Sequence, residues 1–296
     1  LDNSYTDDDS PSWGLPWSWE VWEAPKNLSY VTTTVFVGNL FIKLYEVTLE
    51  PAYLNLAVSI ANWIFEDNGI SQMEDGLWVH YANHPPLRYP IINATALASG
   101  YFWRVYECTS IEDYRHLAFG TARYVFYQQM PCGKWFYSTK SSVVDNLHTG
   151  YTLEGLWQGY PFWNIQALEK IKLGTEFYWK SFYSPFGYGC ELYGKSFKMQ
   201  VKLLLMKLGW RYKITETRLW GYGAAMRAFT LAAVTGDKRW LHRAAKIYSY
   251  LERNLSLESG AYAYRATDPS VYIRHQAHIF TGLGQLAQAV KEKEME

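Results

Sequence analysis

The sequence predicts an all-α protein, an α/α toroid of the six-hairpin-barrel type, with short extended segments gathered at one end. Apolar residues recur at three- and four-residue intervals, and Gly and Pro fall mainly at junctions. One helix-turn-helix plan also repeats at about sixty residues. Helical hairpins joined by short turns bury their faces by stacking side by side. An array that curves until it closes has an inner and an outer ring of helices, with the inner N-termini sharing one mouth. Five or six inner helices are expected, which leaves room for an incomplete ring.

The elements follow in order. Thr34 to Thr48 reads as an inner helix ending in Leu44-Tyr-Glu-Val-Thr48. Tyr53 to Trp63 answers it, and Gly76-Leu-Trp-Val-His-Tyr81 closes the unit. Asn93 to Thr109 repeats the plan with the ending Val105-Tyr-Glu-Cys-Thr109, an outer helix from Tyr114, and the close Gly133-Lys-Trp-Phe-Tyr137. A third copy runs from Asn146 to Trp157, is answered by Phe162 to Phe182, and closes in a degenerate Gly187 to Tyr193. Ser196 to Leu208 is expected as a fourth inner helix. Trp220 to Val234, an outer helix from Trp240 and the close Gly260-Ala-Tyr-Ala-Tyr264 form the clearest copy, and His275 to Val290 is the last helix. Residues 1–29 are expected as a Trp-rich segment capping the mouth, and 30–296 as a single toroid domain.

Composition narrows the function classes. Lys and Arg number 28 and Asp and Glu 28, so the broad positive field of a nucleic-acid binder is absent. No run of about 18 apolar residues suggests a membrane span. The stretch from Leu1 to Asp9 has no signal-peptide pattern, so a cytoplasmic location is expected. Cys108, Cys132 and Cys190 are too few and too scattered for a disulfide framework and read as buried thiols. No cofactor is expected, because no Gly-rich phosphate loop follows a strand. His275 and His278 lack a third ligand for zinc. The 14 Trp and 25 Tyr suit both core packing and stacking on sugar rings. The sequence fixes no oligomeric state.

Polar residues crowd the predicted mouth: Lys26 and Asn27, then Arg88 and Asn93, then Asp145, Asn146 and His148. Lys195, Glu216 with Arg218, and Arg274 with His275 and His278 follow at later helices. Helix N-termini present unpaired N–H groups and partial positive charge, which suits an acidic sugar. Capping alone also accounts for Asp145 and Asn146. His148 and Tyr151 lie three apart on one helix face, so both can address one ligand and move a proton beside a carboxylate. Arg218 and Arg274 would neutralise that carboxylate. Trp17, Trp19, Trp78 and Tyr81 are candidate stacking platforms. A glycosidase would need a carboxyl pair about 5 to 9.5 Å apart. Glu154 lies about 13 Å deeper than Asp145 on the same helix, so Asp145 would pair instead with Glu20, Glu191 or Glu216.

The set Trp13-Gly-Leu-Pro-Trp17, Pro25-Lys-Asn27, Val144-Asp-Asn-Leu-His-Thr-Gly-Tyr-Thr-Leu-Glu-Gly-Leu156 and the Tyr-Glu-x-Thr endings resembles α/α-toroid proteins of polysaccharide and surface-glycan assembly systems. It is similar, more distantly, to the C-terminal domain of glucuronyl C5-epimerases. The resemblance implies an oligosaccharide or polysaccharide partner containing uronic acid. Tyr193 to Gln200 departs from the pattern, lacking both an acid and a histidine. Three readings stand: proton abstraction of epimerase or lyase type, glycoside hydrolysis by a carboxylate pair, and glycan or glycosylation-partner binding without turnover.

Overall fold

The computed structural model describes residues 11–193 and 216–295. The expected helix from Ser196 to Leu208, and Lys195 with it, lie outside the described residues. The described residues up to Gln129, with Phe136–Ser142 and Gln158–Ala167, form one compact unit. Met130–Trp135, Val143–Trp157 and the described residues from Leu168 onward form a second.

The first unit holds α1 (Val31–Thr48), α2 (Pro51–Trp63), α3 (Ile92–Thr109) and α4 (Glu112–Tyr127). A short antiparallel hairpin, β1 (Ile70–Met73) with β2 (Gly76–Val79), pairs Ile70 with Val79 and Met73 with Gly76. The Tyr-Glu-x-Thr endings are explained by the turns after α1 and α3. Leu49 and Ser110, both at φ 58, enter the left-handed region and return their N–H to Tyr45 and Tyr106. The preceding Thr48 and Thr109 hydroxyls donate to Leu44 and Val105 carbonyls and accept the amides of Glu50 and Ile111.

The second unit holds α5 (Asn146–Gln158) and α6 (Ile165–Phe182) but for their residues assigned to the first. It also holds α7 (Leu219–Ala232), α8 (Lys238–Asn254) and α9 (Ile273–Met295). Phe162 belongs to a separate single turn, Tyr160–Phe162, so α6 starts later than its amphipathic pattern suggests. Within α5 and α7 burial runs almost all round, whereas α8 buries only Trp240, Ala244, Ile247 and Leu251. This is the difference between an inner helix and an outer one. In the first turns of α5 and α7 the residues left part-exposed are His148 and Trp220.

One hydrogen bond explains the repeated closes. The first N–H of an inner helix has no intrahelical acceptor. Val31, Ile92, Asn146 and Leu219 donate theirs to the carbonyls of Tyr81, Tyr137, Glu191 and Tyr264, at 3.0, 3.1, 2.9 and 3.0 Å. Each acceptor sits in the close that follows that helix's own hairpin. Each close starts on a glycine in the left-handed region, with φ of 134° at Gly76, 93° at Gly133, 89° at Gly187 and 79° at Gly260. A Cβ at Gly133 would stand 2.7 Å from the Leu173 carbonyl of α6, so the close also needs glycine to reach its neighbouring helix.

Much of the aromatic content is packing. Trp103 stacks on Phe162 at 4.1 Å in the first unit, and Phe229 lies parallel to Trp240 at 6.0 Å in the second. Of the cysteines only Cys190 is buried; Cys132 is exposed, because it sits in the turn before Gly133 rather than on a helix face. Among the described residues no helix is long and apolar enough to cross a membrane.

Candidate active site

The second unit gathers the starts of α5, α7 and α9 by short extended bridges. Asp145 pairs with Leu192, and Cys190 with Glu216. Gln276, in the first turn of α9, exchanges two hydrogen bonds with the Tyr262 backbone.

At the start of α5, Asp145 has two jobs. Its Oδ1 accepts the His148 amide at 2.9 Å, an N-cap bond, while Oδ2 lies 2.5 Å from His148 Nδ1. A carboxylate accepts, so the Nδ1–H donates to it, and Nε2 is the basic nitrogen of the neutral ring. The Asp145 side chain is 8% exposed and that of His148 30%, so the carboxylate is a buried anchor for an accessible imidazole. Burial works to raise the Asp145 carboxyl, but the adjacent His148 imidazole, its two hydrogen bonds and Arg218 outweigh it and hold the group below its ordinary range.

One turn on, Tyr151 Oη lies 3.0 Å from His278 Nε2 of α9. Arg227 of α7 reaches His278 twice, from Nη1 to its carbonyl at 3.1 Å and from Nη2 to Nδ1 at 3.3 Å. Arg227 is wholly buried and pairs with Glu154 at 2.9 Å. Burial opposes the charge on Arg227, and Glu154 more than restores it. For His278, burial, then Arg227, His275 and Arg274, push the imidazole well below its usual range and keep it neutral. The ring sequence is continuous: His148 to Tyr151 at 6.4 Å, Tyr151 to His278 at 5.8 Å, His278 to Trp220 at 6.4 Å.

Trp220 is the hub of the third group. His275 stacks on it at 4.5 Å, and the Arg218 and Arg274 guanidiniums lie over it at 4.6 and 4.3 Å. Arg218 is also engaged by Glu191, through its amide at 2.9 Å, its Nε at 2.7 Å and its Nη2. His275 is held neutral: burial and the charges of Arg274, Arg218 and Arg265 lower it to about 4.

Several expected site residues have structural tasks. The Asn146 amide is enclosed, accepting from Tyr178 and Tyr183 at 2.8 and 2.9 Å and donating to the Cys190 carbonyl. Glu216, expected as a catalytic carboxylate, takes Tyr222 and Tyr250 hydroxyls on Oε1 and the Ala266 amide on Oε2. Trp17, Trp19, Lys26, Asn27, Trp78, Tyr81, Arg88 and Asn93 belong to the first unit. There Trp19 packs edge-on against Trp22 and Tyr30, Tyr81 lies against Tyr30, and Trp78 packs on His80. Arg88 donates to Asn83, Lys26 is exposed, and Asn93 and the Asn27 side-chain Oδ1 are buried. Trp17 is 47% exposed.

Sequence reasoning missed Arg227, Trp220 and the Tyr151–His278 bond. The signal for Arg227 was there: it is the lone charge in the apolar run Leu219 to Ala232. Among the described residues no three His, Cys, Asp or Glu side chains stand close enough together to hold a metal ion.

No family model matches the sequence, and no curated protein sequence matches it. Solved structures do resemble it. A D-mannose isomerase is 12% identical over 99% of this chain and 79% of its own, with a TM-score of 0.69. The family 76 glycoside hydrolase (mannosidase) Bt3792 from Bacteroides thetaiotaomicron is 14% identical over 93% and 74%, with a TM-score of 0.68. An unsaturated glucuronyl hydrolase from Bacillus sp. GL1 is 11% identical over 89% and 75%, with a TM-score of 0.65. These likenesses establish the fold, the α/α toroid that the hairpin repeat predicts. Fold alone assigns no reaction.

Proposed function

We propose that this protein is a carbohydrate-active enzyme that moves a proton at the carbon beside the carboxylate of a uronate residue in an oligosaccharide or polysaccharide, as an epimerase or lyase does. The observation that carries the reading is the Asp145-oriented His148 with Tyr151 one turn away. The base of such a reaction needs a fixed tautomer on a ring that a substrate can approach; the Asp145 bond supports the first and the 30% exposure of the His148 side chain the second. His148 Nε2 takes the carbon-bound proton, and Tyr151 returns one to the opposite face of the sugar or to the leaving oxygen. Arg274 and Arg218, over Trp220, give the substrate carboxylate its countercharge, which stabilises the negative charge that builds up when the proton leaves.

The fold supports a sugar substrate, since the structures that share it include a D-mannose isomerase, a mannosidase and an unsaturated glucuronyl hydrolase. The motif set that includes Val144 to Leu156 supports uronate through its more distant similarity to the C-terminal domain of glucuronyl C5-epimerases. A carboxylate-pair hydrolase is less well supported. Around these helix starts Asp145 is bound by His148, Glu154 by Arg227, Glu191 by Arg218, and Glu216 by two phenols and an amide.

Incubation with uronate-containing glycans in deuterated water tests the proposal. Deuterium is expected at C5 of the uronate, and the His148→Asn variant is expected to lose it. A panel of uronate glycans that acquires no deuterium, and shows no unsaturated product, contradicts the reading.

A further inference from the structure

The bonds around His278 carry a conclusion about Tyr151. Every nitrogen of an arginine side chain is a donor, so a ring nitrogen that faces one must accept. Arg227 Nη2 faces His278 Nδ1 at 3.3 Å, so that nitrogen bears no proton and the neutral ring carries its hydrogen on Nε2. That N–H then points at Tyr151 Oη, 3.0 Å away. Arg227 Nη1 holds the same residue by its carbonyl at 3.1 Å, so the grip is two-pronged. The backbone there is fixed too: a Cβ at Gly223 would stand 2.5 Å from the His278 carbonyl oxygen, so α7 approaches α9 closely only because residue 223 is glycine. The Glu154 carboxylate, nearly wholly buried, sets Arg227 from the other side at 2.9 Å.

We infer that Arg227 is a positioning residue for the Tyr151 hydroxyl: it locks His278 in the Nε2–H form, which donates permanently to Tyr151 Oη, and Glu154 holds Arg227 in register. The role given to Tyr151 rests on the proton-transfer reading above. His278 is therefore a fixed donor and not a shuttle, since a proton on Nδ1 would meet the guanidinium head-on. A donor fixed on the phenol oxygen stabilises the step that leaves that oxygen negative. The proton exchanged with the sugar is then Tyr151's own. Neutrality of His278 agrees, because burial and the neighbouring Arg227, His275 and Arg274 all disfavour the imidazolium.

The tautomer can be read on the full chain, labelled with nitrogen-15 histidine and without substrate, from long-range proton–nitrogen couplings, with His278 assigned by its loss in His278→Gln. The expected spectrum has Nε2 protonated and Nδ1 bare. A proton on Nδ1, or an imidazolium, overturns the proposal. Arg227→Lys keeps the charge opposite Glu154 but not the two-pronged grip, and a second tautomer is expected to appear; an unchanged spectrum overturns the assignment to Arg227. In the deuterium exchange assay, His278→Gln places an amide N–H near the former Nε2, whereas His278→Leu places none. The expected kcat falls by less than about tenfold in the first and by about a hundredfold or more in the second, with KM nearly unchanged. Equal losses in both variants, or losses confined to KM, overturn the positioning role. If wild-type protein shows no exchange at all, the functional reading fails while the tautomer stands or falls on its own spectrum.

Discussion

The first turns of α3 and α5 share one backbone design and differ in chemistry. In each the leading N–H goes to a close, Ile92 to Tyr137 and Asn146 to Glu191. In each a threonine hydroxyl bonds back to the residue before the helix, Thr95 to Ile91 and Thr149 to Asp145. With that register, Ile91, Ala94, Leu97 and Gly100 of α3 stand where α5 has Asp145, His148, Tyr151 and Glu154. The same register on α7 puts Arg227 opposite Glu154, so the buried ion pair joins equivalent positions of two inner helices. The repeat therefore sets where a side chain stands, and a few different residues at those positions give one copy the polar groups of the proposed site and leave another apolar.

The sharpest break is at His148. His148→Ala copies Ala94 but takes the ring donor from the buried Asp145, which keeps only the backbone amide, so folding stability should fall by about 1 to 3 kcal/mol while exchange activity falls by about 10²- to 10⁴-fold. Thermal unfolding and the deuterium assay check both halves, and a variant that keeps its activity removes His148 from the mechanism.

Next is the buried pair. Glu154→Leu leaves Arg227 charged and alone, at an expected cost of about 3 to 5 kcal/mol in denaturant unfolding. Adding Arg227→Leu should recover most of that stability without recovering activity. A single variant as stable as the parent would show that the pair is not sealed from water.

Acid separates the two helices as well, because the α5 side of the comparison is surrounded by histidines held neutral. His275 ordinarily titrates near 6.5 and in the folded protein near 4. Its unfolded form binds the proton first, so its contribution to stability is complete above pH 6.5 and declines as pH falls toward 4. The melting temperature should drop by roughly several degrees between pH 7 and 4.5, and less in His275→Phe. Identical acid slopes for the two proteins would count against a buried neutral His275.

The smallest effects belong to the closes. Gly260 has open space where a Cβ would go, so Gly260→Ala should cost only about 1 kcal/mol for its left-handed backbone. Gly133→Ala adds a clash with the Leu173 carbonyl and should cost more, about 2 to 3 kcal/mol. Equal costs in chemical denaturation would mean that the close does not bear on α6.

What was legible in the sequence follows from range. Local signals placed the helices well: Asn93 to Thr109 is found as Ile92–Thr109, and Trp220 to Val234 as Leu219–Ala232. The Tyr-Glu-x-Thr endings and the closing glycines are local chemistry, and their roles are realised within a few residues. The close from Gly76 reads as extended and holds β2, but its partner β1 escapes notice because Ile70–Met73 carries too few residues to show an alternating pattern. In the site, Asp145 and His148 were readable because cap and ring lie three residues apart. That Arg218 already pairs with Glu191, and can offer a substrate only what that pairing leaves, was not readable, because Glu191 lies 27 residues away. Arg227 and His278 meet across 51 residues, a distance that no periodicity spans.

The most direct measurement is a crystal structure of the protein soaked with an acidic oligosaccharide. The account predicts a uronate whose carboxylate lies by Arg274, Arg218 and Trp220, with its C5 about 3 to 3.5 Å from His148 Nε2 and Tyr151 on the facing side. A sugar bound away from the first turns of α5, or one whose carboxylate points away from the arginines, would contradict it.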